Sequence, residues 1–165
     1  MKRPVSSDTN IWISLCKLGA LQEAFRLDLR YLMEQSAARD EILSPEHLLA
    51  EVRKLGLEEV QLSEEELLFV LTRQSKYPAL STYDLFALAI AVKRSIPLLT
   101  GDGRLRKAGK TEGIEVHGLL WIIVLLRRQG IIMPERKDEL LDAIENDLGT
   151  YRLKKEDVEI ARKTV

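Results

Sequence analysis

Short apolar segments alternate with amphipathic helices along most of the chain, and each strand candidate is followed by a helix candidate. The strand candidates are residues 4–7, 29–33, 60–62, 96–100 and 114–116. Parallel strands need crossover connections, which are usually helices, and parallel sheets are covered on both faces. The alternation therefore predicts an α/β protein with a mostly parallel sheet between helical layers.

Acidic residues follow two of these strands directly. Asp8 comes after the first strand, Asp102 comes after residues 96–100, and Asp84 lies near the start of the helix between them. In open parallel sheets, ligands collect beyond the carboxyl ends of the strands, and crossover helices start near that same edge. We therefore expect these aspartates to meet at one edge of the sheet, where Glu41 could also reach in.

A cluster of carboxylates constrains the chemistry of such an edge. Two carboxylates about 5 Å apart repel by roughly 3 kcal/mol at an effective dielectric constant of 20. Several together must raise their pKa values or bind a cation. Ligands that are all oxygen favour a hard ion, Mg²⁺ or Mn²⁺, and such an ion can activate water and offset charge on a phosphoryl group.

Each acid also has a purely local interpretation. Asp8 can be the N-cap of the next helix, Asp84 can complement a helix dipole, and Asp102 in Gly-Asp-Gly can be a turn residue. Glu41 can be a solvated residue on a helix face. The three aspartates taken together favour the metal site.

Three ordered segments carry these acids: Ser-Asp-Thr-Asn-Ile-Trp-Ile at 7–13, Leu-Ser-Thr-Tyr-Asp-Leu-Phe-Ala-Leu-Ala at 80–89 and Leu-Leu-Thr-Gly-Asp-Gly-Arg-Leu at 98–105. They resemble the three motifs of PIN-domain nucleases in order and spacing, and 113–117 resembles the last strand of that fold. The resemblance implies a three-layer α/β/α sandwich with a short, mostly parallel central sheet. It also implies Mg²⁺- or Mn²⁺-dependent cleavage of RNA phosphodiesters, with water as the nucleophile.

The resemblance also implies roles for individual residues. Asp8, Asp84 and Asp102 match the metal-site aspartates of the family, and Asn10 and Thr100 match the polar positions that support them. We therefore expect the three aspartates to be catalytic and to hold the metal directly or through water.

The remaining acid of the family lies on the helix after the second strand. Glu41, in Asp-Glu-Ile-Leu, fits this position best, and Glu51, in Leu-Leu-Ala-Glu-Val, is the rival. Some members carry another acid three residues after the last aspartate, where this chain has Leu105. The sequence therefore leaves open whether one metal or two are bound.

The resemblance covers about residues 4–126 and gives a domain prediction. Residues 1–132 are expected to form the PIN-like nuclease domain. The charged segment 133–165 is expected to be a C-terminal helical extension packed on or beside it. The first strand is less apolar than is usual for the family.

Basic side chains follow Asp102 closely. Arg104, Arg106 and Lys107 are candidates for gripping an RNA backbone. The alternative is an ordinary solvated basic face. Because the formal net charge is −1, any such binding must rest on a local patch.

Small single-domain members of the family are often VapC-type toxins of toxin–antitoxin pairs, and these are usually dimers. The resemblance thus implies RNA, an antitoxin protein and a second copy of the chain as partners. The helix at residues 119–126 is apolar on all sides, which indicates partial burial together with a dimer or partner surface.

We expect a cytoplasmic protein with no membrane partner. Cys16 is the single cysteine, which fits a reducing compartment. The N-terminal residues lack the apolar region of a signal peptide. The run 119–126 is far shorter than the roughly 20 residues that span a bilayer.

The leading hypothesis is a metal-dependent endoribonuclease. The alternative is a non-catalytic PIN-like module that binds RNA or a protein partner. It is motivated by Leu105 and by the unsettled choice between Glu41 and Glu51.

Overall fold

A computed structural model describes all residues from 1 to 165 and contains one five-stranded, all-parallel sheet. The strand order is β3-β2-β1-β4-β5. The strands are β1 Arg3–Ser7, β2 Leu29–Glu34, β3 Glu58–Val60, β4 Leu98–Leu99 and β5 Val116–His117.

Eleven helices connect and cover the strands. They are α1 Thr9–Leu18, α2 Leu21–Ala24, α3 Gln35–Glu41, α4 Leu48–Leu55, α5 Glu64–Arg73, α6 Thr82–Arg94, α7 Gly103–Thr111, α8 Leu119–Arg128, α9 Pro134–Glu145, α10 Leu148–Tyr151 and α11 Lys155–Lys163.

Two apolar cores hold the layers together. The larger core packs α1, α4 and α8 against the sheet and includes Trp12, Leu48 and Ile122. The smaller core packs α5, α6 and α7 and includes Leu88 and Leu105. The predicted three-layer α/β/α sandwich is therefore confirmed, and the sheet is wholly rather than mostly parallel.

The polar residues of β1 are satisfied inside the fold. Ser6 and Ser7 are buried. The hydroxyl of Ser6 donates to the carbonyl of Ala87 in α6 at 2.7 Å, and that of Ser7 donates to the carbonyl of Leu32 in β2 at 3.0 Å. These bonds remove the cost of burying hydroxyls and explain how a strand with few apolar residues occupies the centre of the sheet.

In the sequence, Ser63 followed by Glu66 predicts a capping box, and Ser81 or Thr82 is the predicted cap of the next helix. The structure confirms caps at Ser63 and Ser81. Ser63 and Glu66 form a capping box at α5, and Ser81 and Asp84 form another at α6. At the end of α1, Gly19 takes the left-handed conformation (φ 67°) predicted for a glycine C-cap.

The sequence pattern predicts that the helix after Asp102 ends at Gly109 and that Pro45 starts the next helix along from residues 34–43. Both predictions were wrong, because tertiary packing decides these boundaries. Gly109 does not end α7, because the helix packs so closely on β5 that a Cβ atom there would lie 2.6 Å from Cγ2 of Val116. Pro45 does not start α4. Its carbonyl accepts from the amide of Leu48 in a turn that precedes the helix. The strand predicted at 60–62 is displaced to Glu58–Val60, where it pairs with β2.

The C-terminal segment packs on α8. Leu141 and Ile144 of α9 and Val158 of α11 belong to the same core as Trp12. The sequence pattern predicts one helix over residues 135–148. The structure instead ends α9 at Glu145, and α10 follows as a separate short helix.

The apolar helix α8 is mainly a core element. Its buried residues are Leu119, Ile122, Ile123, Val124 and Leu126. The predicted partial burial of this helix is therefore confirmed, because α9 and α11 cover it. Its role as a partner surface stays a prediction. None of the helices combines the length and the apolar character that crossing a bilayer would need.

The Glu112 carboxylate is a paired acid on which stability should depend. Its side chain is 6% exposed and contacts Arg73 and Lys76. Burial by itself raises the pKa of Glu112, but hydrogen bonds from Arg73, Tyr77 and Lys76 outweigh burial and lower it to about 2. The ordinary value is 4.5.

We predict that Glu112→Gln lowers the free energy of unfolding at pH 7 by about 1 to 3 kcal/mol, after allowance for the exposed partners. The depressed pKa stabilises the fold above pH 4.5, and that stabilisation disappears as the pH falls toward 2. Urea unfolding at pH 7 and pH 3 should therefore show a gap between the two proteins that is less than half as large at pH 3. A gap of constant size would contradict this prediction.

Candidate metal centre

Pairing of β1 with β4 positions the first part of the site. Ser7 is aligned with Leu99, so the residues after both strands emerge side by side at the carboxyl edge of the sheet. Asp8 is the N-cap of α1, and Asp102 is the N-cap of α7. The amide of Asp8 donates to the carbonyl of Leu99 at 3.1 Å, which fastens the two turns together.

The carboxylate of Asp8 is the most buried group of the site, with the residue 5% exposed. Its Oδ1 accepts from the amide of Thr9 at 2.9 Å. Its Oδ2 accepts from Nδ2 of Asn10 and from the hydroxyl of Thr100, each at 2.9 Å. All of these donors are neutral, so they orient the carboxylate without cancelling its charge.

Thr100 and Asn10 both connect the two turns. The hydroxyl of Thr100 also accepts from the amide of Asp102 at 3.0 Å. Oδ1 of Asn10 accepts from the amide of Gly101 at 2.8 Å. The structure thus places both polar residues, expected from the sequence as supporting groups, between Asp8 and Asp102.

The two carboxylate oxygens of Asp102 have different surroundings. Its Oδ1 accepts from the amides of Arg104 and Leu105 and caps α7. Its Oδ2 lies 3.8 Å from Nη1 of Arg152, in the turn after α10. The local interpretation as a turn and cap residue is therefore correct for one oxygen only.

Asp84 lies in the first turn of α6, and its charge affects the pKa of Asp8. Its Oδ2 accepts from the amide of Ser81 at 2.9 Å and completes the capping box. Burial, followed by the charges of Asp84 and Glu41, raises the pKa of Asp8 from 3.8 to about 7, although the Thr100 and Thr9 hydrogen bonds oppose the change.

Glu41 lies beside these aspartates at the end of α3. Its Oε1 accepts from the hydroxyl of Thr9 at 3.0 Å. Burial and then the charges of Asp84 and Asp40 raise its pKa, and the Thr9 hydrogen bond opposes that rise. Glu41 and Asp8 are therefore linked through one residue, Thr9, and both interact with Asp84.

Glu51, the rival for the same role, lies elsewhere. It is on α4, with one oxygen 3.6 Å from Nε2 of His47. Burial and then the charge of Glu51 raise the pKa of Cys16 on α1. Glu51 does not contribute to the shifted pKa of Asp8 or of Glu41. The structure thus separates Glu51 from the aspartates and brings Glu41 to them.

Two residues near the site were missed in the sequence. Glu34 is buried at the end of β2, where it caps α3 by accepting from the amide of Ala37 at 2.7 Å. It lines one small cleft with Asp8, Glu41 and Tyr83. Glu34 is the last residue of a strand and directly precedes a helix, much as Asp8 and Asp102 lie between a strand and a helix, so a similar pattern could have identified it.

Tyr83 is the second missed residue, and no local sequence signal identifies it. Its hydroxyl donates to Oδ2 of Asp40. This bond joins α6 to α3 beside Asp84 and Glu41, and it connects segments that are 43 residues apart in the chain. Only the tertiary fold reveals that contact.

The oxygen atoms at this edge are of the types that bind a hard divalent cation. They are carboxylate, amide and hydroxyl oxygens, and no lysine, arginine or histidine lies within 4.0 Å of Asp8, Glu41 or Asp84. In the structure, no three acidic, histidine or cysteine side chains converge closely enough to form a complete metal shell. The carboxylates are thus gathered, but each is turned toward its own hydrogen-bond donors.

The basic candidates on α7 diverge. Arg104 and Lys107 are exposed, whereas Arg106 is partly buried in a cavity of about 470 Å³ with His117 and Trp121. The rings of His117 and Trp121 are stacked with centroids 4.0 Å apart. The three basic residues therefore do not form one surface.

A family model described as a PIN domain matches residues 4–164. The match covers nearly the whole chain, including the segment after residue 132, and it confirms the family resemblance of the three motifs. No curated protein matches the chain.

We predict that Asp8→Asn gains stability relative to wild type as the pH rises. The raised pKa means that protonated Asp8 suits the fold, so its stabilisation is full below pH 3.8 and is lost as the pH rises to about 7. Asparagine cannot ionise and avoids this loss. In EDTA, urea unfolding should show the difference shifting by about 2 to 3 kcal/mol in favour of the variant between pH 5 and pH 8.

Thr111→Val, an exposed change on α7, is the control and should show a difference from wild type that does not vary with pH. An Asp8→Asn difference that is equally flat would mean that Asp8 titrates normally in the fold.

Proposed function

The chain belongs to the PIN-domain family, and on that basis we propose that it is a metal-dependent endoribonuclease. PIN domains are generally nucleases that use divalent metals. The substrate would be RNA, and the reaction would be hydrolysis of a phosphodiester bond by water.

The observation that carries the proposal is the uncompensated charge at the carboxyl edge of the sheet. Asp8 is buried, and Asp84 and Glu41 are near enough for their charges to raise its pKa. Buried acids in proteins are normally paired with a cation or a metal. A fold that brings Asp8, Asp84 and Glu41 to this edge without a basic partner for any of the three favours binding of a divalent ion.

We assign the acidic side chains to metal binding and the neutral polar ones to orientation. Asp8, Asp84, Asp102 and Glu41 would hold Mg²⁺ or Mn²⁺ directly or through water. Thr100 and Asn10 would fix the orientation of Asp8 through the hydrogen bonds they already make. The ion, when bound, would supply an activated water and neutralise charge on the phosphoryl group.

The second candidate function is a binding module that keeps the fold without catalysis. The observation that favours it is that no complete metal shell is formed by the carboxylates. Leu105, at the position where some members carry an acid, is fully buried in the smaller core. This module would bind RNA or a protein partner and would not need a divalent ion.

We also propose a cytoplasmic toxin role with an antitoxin partner and a homodimer, and the family resemblance and one exposed surface support it. Leu67, Leu68 and Leu71 are exposed on α5, between 46% and 64%. Neighbouring exposed leucines are typical of protein contacts. This face of α5, rather than α8, is the surface through which the chain would meet a second copy.

We predict that Asp102→Asn abolishes Mn²⁺-dependent cleavage of single-stranded RNA, with a loss in kcat/KM of about 100-fold or more. Asparagine caps a helix about as well as aspartate, so α7 and the fold should be retained. The measurement is a gel-based cleavage assay with circular dichroism on the same samples. Full activity in a folded variant would refute the proposed role of Asp102.

Glu41→Gln and Glu51→Gln form a matched pair that assigns the further acid. Glu41 is the last residue of α3, and Glu51 lies in the first turn of the next helix, α4. Only Glu41 contacts a residue that also contacts Asp8, namely Thr9. We expect Glu41→Gln to reduce cleavage at limiting Mn²⁺ by about 10-fold or more. Glu51→Gln should retain wild-type cleavage, and the reverse result would transfer the role to Glu51.

Metal binding should stabilise the fold, because a cation relieves repulsion among the acids. Mn²⁺ at about 100 times its Kd adds about 2.7 kcal/mol, which corresponds to about 5 to 10 °C in Tm for a chain of this size. The measurement compares the Tm in buffer that contains Mn²⁺ with the Tm in metal-free buffer that contains EDTA. Asp84→Asn should lose most of the shift, whereas the binding module requires no shift in either protein.

A further inference from the structure

A cleft of about 180 Å³ opens beside the candidate metal centre. Its walls come from α1, from the turn after β4 and from α10. Lys17 and Arg152 are the charged residues that line it, and no acid does. The cleft therefore has the opposite charge character from the carboxylate edge next to it.

The cleft and the carboxylate edge share residues and are continuous. Asn10 lines the cleft, donates to Oδ2 of Asp8 and accepts from the amide of Gly101, which also lines the cleft. A ligand group in the cleft would thus lie one side chain away from Asp8. One extended ligand can therefore contact the cleft and the carboxylate edge together.

Arg152 stands between the two regions. Its Nη1 is 3.8 Å from Oδ2 of Asp102, and this is the single ion pair that involves any of the four proposed acids. Its side chain is 71% exposed, and exposed ion pairs are weak and easily exchanged. Most of its five N–H donors are available to an anion.

The backbone of Arg152 is unusual for its residue type. It takes the left-handed conformation, with φ 53° and ψ 41°, at the end of α10. Glycine and asparagine are the residues that local preference favours there. The left-handed backbone fixes the point from which the Arg152 side chain leaves α10, on the side that lines the cleft.

We propose that this cleft binds a phosphate of the RNA backbone next to the phosphate that is cleaved, with Arg152 as the principal contact. The proposal rests on the ribonuclease function proposed above. The planar guanidinium binds phosphate oxygens in a two-pronged manner, and Lys17 adds a point charge from the α1 wall. Arg152 is thus a positioning residue that places the strand and does not touch the reacting atoms.

The test measures RNA binding without catalysis. A fluorescein-labelled single-stranded RNA of about 12 nucleotides is titrated with the full chain in EDTA, and anisotropy gives Kd over a range of salt concentrations. We expect Arg152→Ala to raise Kd about 5- to 10-fold and to lower the salt slope by about 0.7, the value for one lost phosphate contact on a single strand. Arg152→Lys should keep the slope and recover part of the affinity.

Lys154→Ala is the matched control. Lys154 is an exposed cation two residues further along, and its side chain makes no cap hydrogen bond. Its removal changes the net charge by the same amount and should change Kd less than 2-fold. Arg152→Gly guards against misfolding, because glycine accepts the left-handed backbone without strain. It should unfold at or above the wild-type temperature and bind as weakly as Arg152→Ala.

Cleavage kinetics separate failure of this proposal from failure of the ribonuclease function. With Mn²⁺ and wild-type cleavage present, Arg152→Ala should raise KM with little change in kcat. Equal Kd values for Arg152→Ala and Lys154→Ala would overturn the proposal, as would tighter binding or faster cleavage, which would make Arg152 an internal inhibitor. If the wild type does not cleave RNA but the binding results hold, the catalytic function falls and the RNA contact stands.

Discussion

The buried carboxylate of Asp8 holds the candidate site together. It receives hydrogen bonds from Thr9, Asn10 and Thr100, and these donors come from the turns after both β1 and β4. Burial and the nearby charge of Asp84 raise the pKa of Asp8 to about 7, although the hydrogen bonds from Thr100 and Thr9 oppose the rise. The group that organises the carboxyl edge of the sheet is therefore also one that opposes folding when it is ionised. A bound divalent cation would turn this unfavourable charge into a favourable interaction.

Buried acids elsewhere in the fold are paired with basic residues. Buried Glu66 is paired with Arg94 at 2.8 Å, and Glu112 is paired with Arg73 and Lys76. In both cases, hydrogen bonds from basic neighbours lower the pKa of the carboxyl group despite burial. Raised carboxyl pKa values are confined to Asp8 and Glu41. This contrast between paired acids in the body of the fold and unpaired acids at one edge is typical of functional sites.

The C-terminal segment, residues 133–165, both extends the core and lines the cleft beside the candidate site. Its helices α9 and α11 cover α8 and enlarge the core, with Leu141 and Val158 fully buried. Between them, the short helix α10 brings Tyr151 and Arg152 to the cleft beside Asp102. A segment that the three motifs do not reach is thus joined to the sheet edge by packing, and the family match extends through it to residue 164.

The sequence by itself determined the alternation of strands and helices, the caps at Ser63 and Ser81, and the placement of Asp8 and Asp102 directly after strands, because these depend on neighbours a few residues apart. It favoured Glu41 over its rival Glu51 only through the family resemblance, since both lie on helices after β2. Only the tertiary structure decided between their surroundings, brought Tyr83 to Asp40 and placed Arg152 at Asp102. Those contacts join segments tens of residues apart, and their geometry is set by how helices pack on the twisted sheet, which no local pattern encodes.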